Sequence, residues 1–186
     1  SVWIGERTRD LDGAHVEFFR GVRNPIGVKV GPDTTPVFLH GLLRALNPAN
    51  EPGRLTLIHR LGAGRIRQVL PGLIDAVHSA GARVVWVCDP MHGNTETASS
   101  GLKTRRVENI LGELDAAFEV HRAAGSHLGG VHLELTGDHV TECTGGARGL
   151  TESDLERDYR TQVDPRLNYE QAMEVAMRIA GHGRDI

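Results

Sequence analysis

Arg83-Val-Val-Trp-Val-Cys-Asp-Pro-Met-His-Gly-Asn-Thr95 is the stretch that decides the fold. Residues 83 to 88 form a short, nearly unbroken apolar run that stops at Pro90. That is the pattern of a parallel strand buried on both faces. The polar loop after it carries Asp89, His92, Asn94 and Thr95. In α/β folds chemistry gathers where such strands end, because loops there can aim side chains at a common centre. His92 is therefore the first candidate for a functional residue.

Working back towards the N-terminus, Leu55 to Arg60 and Ile26 to Val30 read as strands, the latter by its β-branched alternation. A helix between them opens at Thr35-Pro36, an N-cap followed by proline at the first position, and turns Phe38, Leu39, Leu42 and Leu46 inward. A second helix spans about 65–80, with Ile66, Val69, Leu70, Leu73, Ile74 and Val77 as its apolar stripe. Pro71 lies inside that stripe and predicts a kink or a restart. Residues 2–4 read as the end of a strand, and 14–20 as a short helix or extended piece.

Working forward, residues 89–102 read as a long loop and 103–122 as a helix with Val107, Ile110, Leu111, Leu114 and Phe118 inward. Gly125 and Gly129-Gly130 break the chain, and Val131 to Leu135 predicts the fourth full strand. Thr151 caps a short helix to about Arg160, and Asn168 caps the last one, to Gly181. The order is βαβαβαβ with further helix. Strand starts near 26, 55, 83 and 130 give units of roughly 30 residues, the repeat size of a (βα)8 barrel, with one longer unit. The expected class is α/β: four complete units and a strand stub, half of a (βα)8 barrel. A doubly wound sheet is the rival, but no Gly-x-Gly-x-x-Gly turn follows the first strand.

Composition narrows the function classes. A chain of 186 residues suffices for one domain with a real core. The net charge of −3 implies no general binding to nucleic acid. No apolar run is long enough for a bilayer, and the N-terminus does not read as a signal peptide but as the middle of a folded element. The two cysteines, Cys88 and Cys143, form no C-x-x-C motif, and Cys88 reads as a buried strand thiol, so a reducing cytoplasm is expected. Only Lys29 and Lys103 among the 21 basic residues are lysine, which suggests positions that need a compact ammonium.

Charged or ligating groups recur at the strand ends. Arg7 follows the stub, Lys29 ends one strand, Arg60 ends the next, His92 follows the third, Glu134 lies within the fourth, and Asp164 follows a later loop. A charge in an apolar strand is costly unless it is paired or bound. Arginine and lysine suit phosphate and carboxylate, and one imidazole with two carboxylates suits a divalent transition metal. Plain structural alternatives stand beside these: Lys29 and Arg60 as salt-bridge partners, His92 as a satisfied loop histidine, Asp164 as a turn residue before Pro165. The Arg105-Arg106 pair reads as a solvated helix face, and the other nine histidines as surface or core residues.

Long motifs running nearly end to end carry a resemblance. They include Trp3-Ile-Gly-Glu-Arg-Thr-Arg9, Arg20-Gly-Val-Arg-Asn-Pro-Ile-Gly-Val-Lys-Val-Gly-Pro32, Asn47-Pro-Ala-Asn-Glu-Pro-Gly-Arg-Leu-Thr56, Trp86-Val-Cys-Asp-Pro-Met-His-Gly-Asn-Thr95, Ser100-Gly-Leu-Lys-Thr-Arg-Arg106, Gly129-Gly-Val-His-Leu-Glu-Leu-Thr-Gly137 and Asp164-Pro-Arg-Leu-Asn-Tyr-Glu-Gln171. The chain resembles the C-terminal half of class II 3-deoxy-D-arabino-heptulosonate 7-phosphate (DAHP) synthase. The resemblance implies a (βα)8 barrel that condenses phosphoenolpyruvate with erythrose 4-phosphate, the first step of the shikimate pathway. On it, residues 1–186 form the C-terminal half of one barrel domain.

The resemblance also implies roles. Arg7, Lys29 and Arg60 match cations that bind phosphoenolpyruvate, and Glu6 stands beside them. His92, Glu134 and Asp164 match three ligands of a divalent metal, with Mn2+ expected and Co2+ or Zn2+ as substitutes. Lys29 and His92 are the expected catalytic pair, and Lys103 lies near the mouth. A fourth metal ligand, a cysteine, and another arginine belong to the half absent here, and Cys88 and Cys143 do not replace them. The expected partner is a complementary N-terminal half-barrel chain or a second copy; neither nucleic acid nor membrane is expected. A non-catalytic assembly subunit, or a relative serving secondary metabolism, is the alternative.

Overall fold

The computed structural model describes residues 1–183. In chain order the elements are β1 (Val2–Ile4), α1 (Ala14–Arg20), β2 (Ile26–Val30), α2 (Pro36–Leu46), β3 (Leu55–His59), α3 (Ile66–Ser79), β4 (Val85–Cys88), β5 (Thr95–Thr97), β6 (Lys103–Arg105), α4 (Val107–Ala123), β7 (Leu128–Val131) and α5 (Tyr169–His182). Short 3-10 turns occupy Glu6–Thr8, His92–Asn94 and Glu152–Arg157.

Five strands form one parallel sheet in the order β1-β2-β3-β4-β7. Among the described residues the order never reverses, so the sheet they form has no switch point of the doubly wound kind. Helices contact one another in the same succession, α1 on α2, α2 on α3, α3 on α4 and α4 on α5. The chain is thus an α/β fold whose sheet is consistent with part of a (βα) barrel. Among the described residues no helix is long and apolar enough to cross a membrane.

Alternation along the strands sorts the two faces. Ile26, Val28, Val30, Leu55, Leu57, Trp86 and Cys88 enter the core shared with Leu39, Leu42, Leu70 and Ile74 of the helices. Trp3, Lys29, Ile58, Val85 and Val87 take the other face, and there Trp3 is 56% exposed and Val85 37%. Residues 83–88 are therefore not covered on both faces as expected. The strand starts at Val85, and only Trp86 and Cys88 are sealed in.

Local signals fix the helices. The Thr35 hydroxyl accepts from the Phe38 amide at 3.2 Å and starts α2 at Pro36, where the missing N–H leaves nothing unpaired. Asn168 and Gln171 cap α5 reciprocally. Of the kink or restart expected at Pro71, the restart does not occur: α3 runs unbroken through it. Pro71, in the second turn, withholds its one N–H from the ladder, and buried Leu70, Leu73, Ile74 and Val77 hold the helix in place.

Two further expectations are corrected. Residues 103–105 are not helical but pair antiparallel with Thr95–Thr97 in a hairpin, and α4 begins only at Val107. Nor does the fourth long strand cover residues 131–135: the ladder runs over Leu128–Val131, with an irregularity opposite Trp86 and Val87. Gly129-Gly130 does not break this strand but permits it. A Cβ at Gly129 would stand 3.1 Å from Val85 Cγ1, so tight that Val85 would have to give way. Glu134 thus lies beyond the strand, in a segment whose backbone meets Leu167: the Leu167 amide donates to the Glu134 carbonyl at 3.0 Å.

Candidate active site

The strand ends deliver their polar residues to one rim. Lys29, the penultimate residue of β2, is in register with Ile58 of β3 and, through it, with Val87 of β4. One step further along the same face come Arg60 after β3 and Asp89 after β4. The loops after these strands also touch. Gly62 adopts φ +81°, open to glycine, and a Cβ at Gly93 would stand only 2.9 Å from Gly62 Cα. This close approach sets Arg60 beside His92, and Arg60 Nη2 donates to the His92 carbonyl at 2.8 Å.

Glu6, Arg7, Lys29, Arg60, His92, Lys103 and Asp164 all line one cavity of about 500 Å3. Glu134 adjoins it: His92 Nε2 lies 3.2 Å from Glu134 Oε1 and 3.8 Å from Asp164 Oδ2. One ligand atom from each of His92, Glu134 and Asp164 falls within 4.8 Å of the other two, so this group can hold a metal ion. The structure therefore brings together every residue singled out in the sequence. The donor set, one imidazole nitrogen and two carboxylates, fits a divalent first-row metal.

Asp89, buried without exposure, ties the two halves of the rim together. It pairs with the Lys29 ammonium and faces His92 Nδ1 at 2.8 Å, and its Oδ1 also accepts from the Met91 and His92 amides. A carboxylate on the far nitrogen of a ligating histidine fixes ring orientation and tautomer. Burial pushes the Asp89 carboxyl up, but the hydrogen bond to His92 and the Lys29 charge outweigh it and hold the group well below the carboxylate range. The hydrogen bonds of His92 to Asp89 and Glu134 raise the imidazole to about 9. The salt-bridge alternative for Lys29 is thus realised, by a partner inside the site. Arg60, by contrast, makes no salt bridge among the described residues.

Arg105 supports the other carboxylate. Fully buried on β6, it donates from Nη1 to Glu134 Oε2 at 2.6 Å and to the Pro165 carbonyl, and from Nε to Thr95 Oγ1 at 2.9 Å. Burial raises the Glu134 carboxyl, yet His92 and Arg105 overcome this and bring it down to about 2. The expected solvated helix face for Arg105-Arg106 is therefore wrong for Arg105, whose guanidinium is held inward by Glu134, Pro165 and Thr95. Lys103 Nζ reaches Asp164 Oδ1 at 3.1 Å, and Glu6 Oε1 accepts from Arg9 at 2.7 Å.

A buried carboxylate organises the loop that carries Asp164. Glu142 accepts from the backbone amides of Arg160, Thr161 and Arg166 and from the Arg166 guanidinium. Sequence reasoning missed Asp89, Arg105 and Glu142 as members or supports of the site. For Asp89 a signal was present, since it is the first residue after an apolar strand. Arg105 and Glu142 gave none that separates them from surface charge.

A sequence model described as the class-II DAHP synthetase family matches residues 1–180. The chain is 52% identical over 184 residues to phospho-2-dehydro-3-deoxyheptonate aldolase AroG of Mycolicibacterium smegmatis, covering 99% of this chain and 40% of that protein. It is 53% identical over 185 residues to the phospho-2-dehydro-3-deoxyheptonate aldolase of Neurospora crassa, 98% of this chain and 38% of the relative. The enzyme of that name from Streptomyces coelicolor is 52% identical over 184 residues, 99% and 41%. The chain thus spans about two fifths of the length of the relatives it matches.

Proposed function

The chain belongs to the class-II DAHP synthetase family, and from that membership we propose that residues 1–186 are the C-terminal half of one (βα)8 barrel. The completed barrel condenses phosphoenolpyruvate with erythrose 4-phosphate and water, giving DAHP and inorganic phosphate as the first step towards aromatic amino acids. The observation that carries this is the convergence of Arg7, Lys29 and Arg60 with His92, Glu134 and Asp164 on one rim of a parallel sheet. Strand C-terminal ends are where barrel enzymes place their chemistry.

In this reading Arg7, Lys29 and Arg60 hold the phosphate and carboxylate of phosphoenolpyruvate, with Glu6 beside them, and present its methylene carbon to the aldehyde, a positioning effect. Lys103 extends the positive lining towards the mouth, where a second phosphate enters. His92, Glu134 and Asp164 hold the divalent metal, Mn2+ by preference and Co2+ or Zn2+ in its place, with a fourth donor from the remainder of the protein. When bound, the metal supplies a Lewis acid for the aldehyde oxygen. Asp89 keeps Lys29 and His92 in register throughout. The exposed Trp3 and Val85 on the sheet face opposite the helices support a covering half. The two free, buried thiols, Cys88 and Cys143, suit a reducing cytoplasm.

Reconstitution tests the proposal. The chain is mixed with the N-terminal portion of a relative, or joined to it, and phosphoenolpyruvate consumption is followed with Mn2+ and erythrose 4-phosphate. Activity in the mixture that Lys29→Met abolishes is the expected result. A folded, metal-loaded complex without activity would overturn the proposal.

A further inference from the structure

A second group of ligating side chains lies on the opposite face of the sheet, between β3, β4 and α4. One ligand atom each from His59, Cys88 and Glu113 falls within 4.8 Å of the other two. All three residues are buried without exposure. They come from different elements: His59 ends β3, Cys88 ends β4 in register with it, and Glu113 projects from α4.

His59 is the informative member. Both of its ring nitrogens are buried and neither has a hydrogen-bond partner. A buried polar group without a partner needs an explanation, and an ion is one of the few available. Three donors fix the Glu113 carboxylate in place. Its Oε1 accepts from the Leu61 and Gly62 amides at 2.8 and 3.0 Å, and its Oε2 from Asn94 Nδ2 at 2.7 Å. A further nitrogen donor stands close by, since the His121 ring lies 5.6 Å from that of His59 and its Nε2 is also buried and unpartnered.

We propose that His59, Cys88 and Glu113 form a structural site for a borderline-soft divalent cation, Zn2+ by its chemistry, separate from the cavity on the other face. Nitrogen, thiolate and carboxylate are the ordinary protein donors of that ion. Charge can be balanced at this site. Binding M2+ with release of the Cys88 proton, and of the Glu113 proton where that carboxyl is protonated, leaves the two negative ligands and the cation electrically balanced. The ion would clamp β3, β4 and α4 directly beneath the loops that carry Arg60 and His92. This site does not depend on the proposed activity.

Within this chain the two sites differ in one readable property: of the two described ligand groups, only this one contains sulfur. The metal-free 186-residue chain is titrated with Co2+ and followed for the thiolate-to-cobalt charge-transfer band in the near ultraviolet. The expected result is a saturable band whose final intensity corresponds to one thiolate-bound Co2+ per chain, retained in Cys143→Ser and lost in Cys88→Ser and His59→Gln. X-ray absorption on the unmodified cobalt-loaded chain needs no variant and must then show a sulfur neighbour. A helical chain that binds Co2+ with nitrogen and oxygen neighbours only, or not at all, overturns the proposal, as does a band that survives Cys88→Ser. Loss of metal in His92→Asn with the band intact would separate a failure of the rim site from a failure of this one.

Discussion

At the scale of single residues, Asp89 joins the Lys29 ammonium to the His92 imidazole. Asp89→Asn keeps its size but removes the charge that Lys29 and His92 share. Breaking a buried pair from one side costs about 3–5 kcal/mol, so urea unfolding should show a loss of that order. Metal affinity at the rim should fall about 10- to 100-fold, as for other carboxylates behind a ligating histidine, and titration calorimetry would measure it. Glu142 gives a pH dependence. Burial raises its carboxyl, but the Arg166 guanidinium and the Arg166 and Arg160 amides draw it below the ordinary 4.5. The stability it contributes is then present above the ordinary carboxylate range and is lost as pH falls through the lowered value. Glu142→Gln should flatten that acid limb in denaturation curves taken from neutral pH downwards, while lowering stability at neutral pH.

At the scale of elements, the contact between the loops after β3 and β4 sets the spacing of Arg60 and His92. Gly93→Ala would drive a methyl into the Gly62 backbone. The expected outcome is retained helical circular dichroism with weakened metal binding, since the clash lies in the loops and not in the core. Thr35→Ala should cost about 1 kcal/mol by removing the α2 cap, and no site residue should move. α2 and α5 were legible in the sequence because Thr35-Pro36 and Asn168 act on their own next turn. The parallel strands were legible from apolar runs, and the rim residues from charges at the ends of those runs. The β5–β6 hairpin was not legible, because what holds Lys103–Arg105 extended is the contact of Arg105 with Glu134, 29 residues away. The position of β7 was missed because glycine reads as a breaker, although here it lets one backbone lie flat on the next. Arg105 and Glu142 acquire their roles only from what they touch.

At the scale of the whole molecule, the sheet face that carries Trp3 and Val85 should make the isolated chain associate. Its mass by light scattering should exceed the 20.2 kDa of one chain, and Trp3→Ser with Val85→Thr should return it towards that value. The strand order bears on how the molecule is made. Each strand pairs with the one laid down before it, across a single helix or, at β7, across the hairpin and α4. No strand must wait for a distant segment to emerge, so the sheet can grow by accretion as the polypeptide leaves the ribosome. Among the described residues β7 is the last strand added to this sheet, and the segment carrying Glu134 and Asp164 arrives after Arg7, Lys29, Arg60, His92 and Lys103.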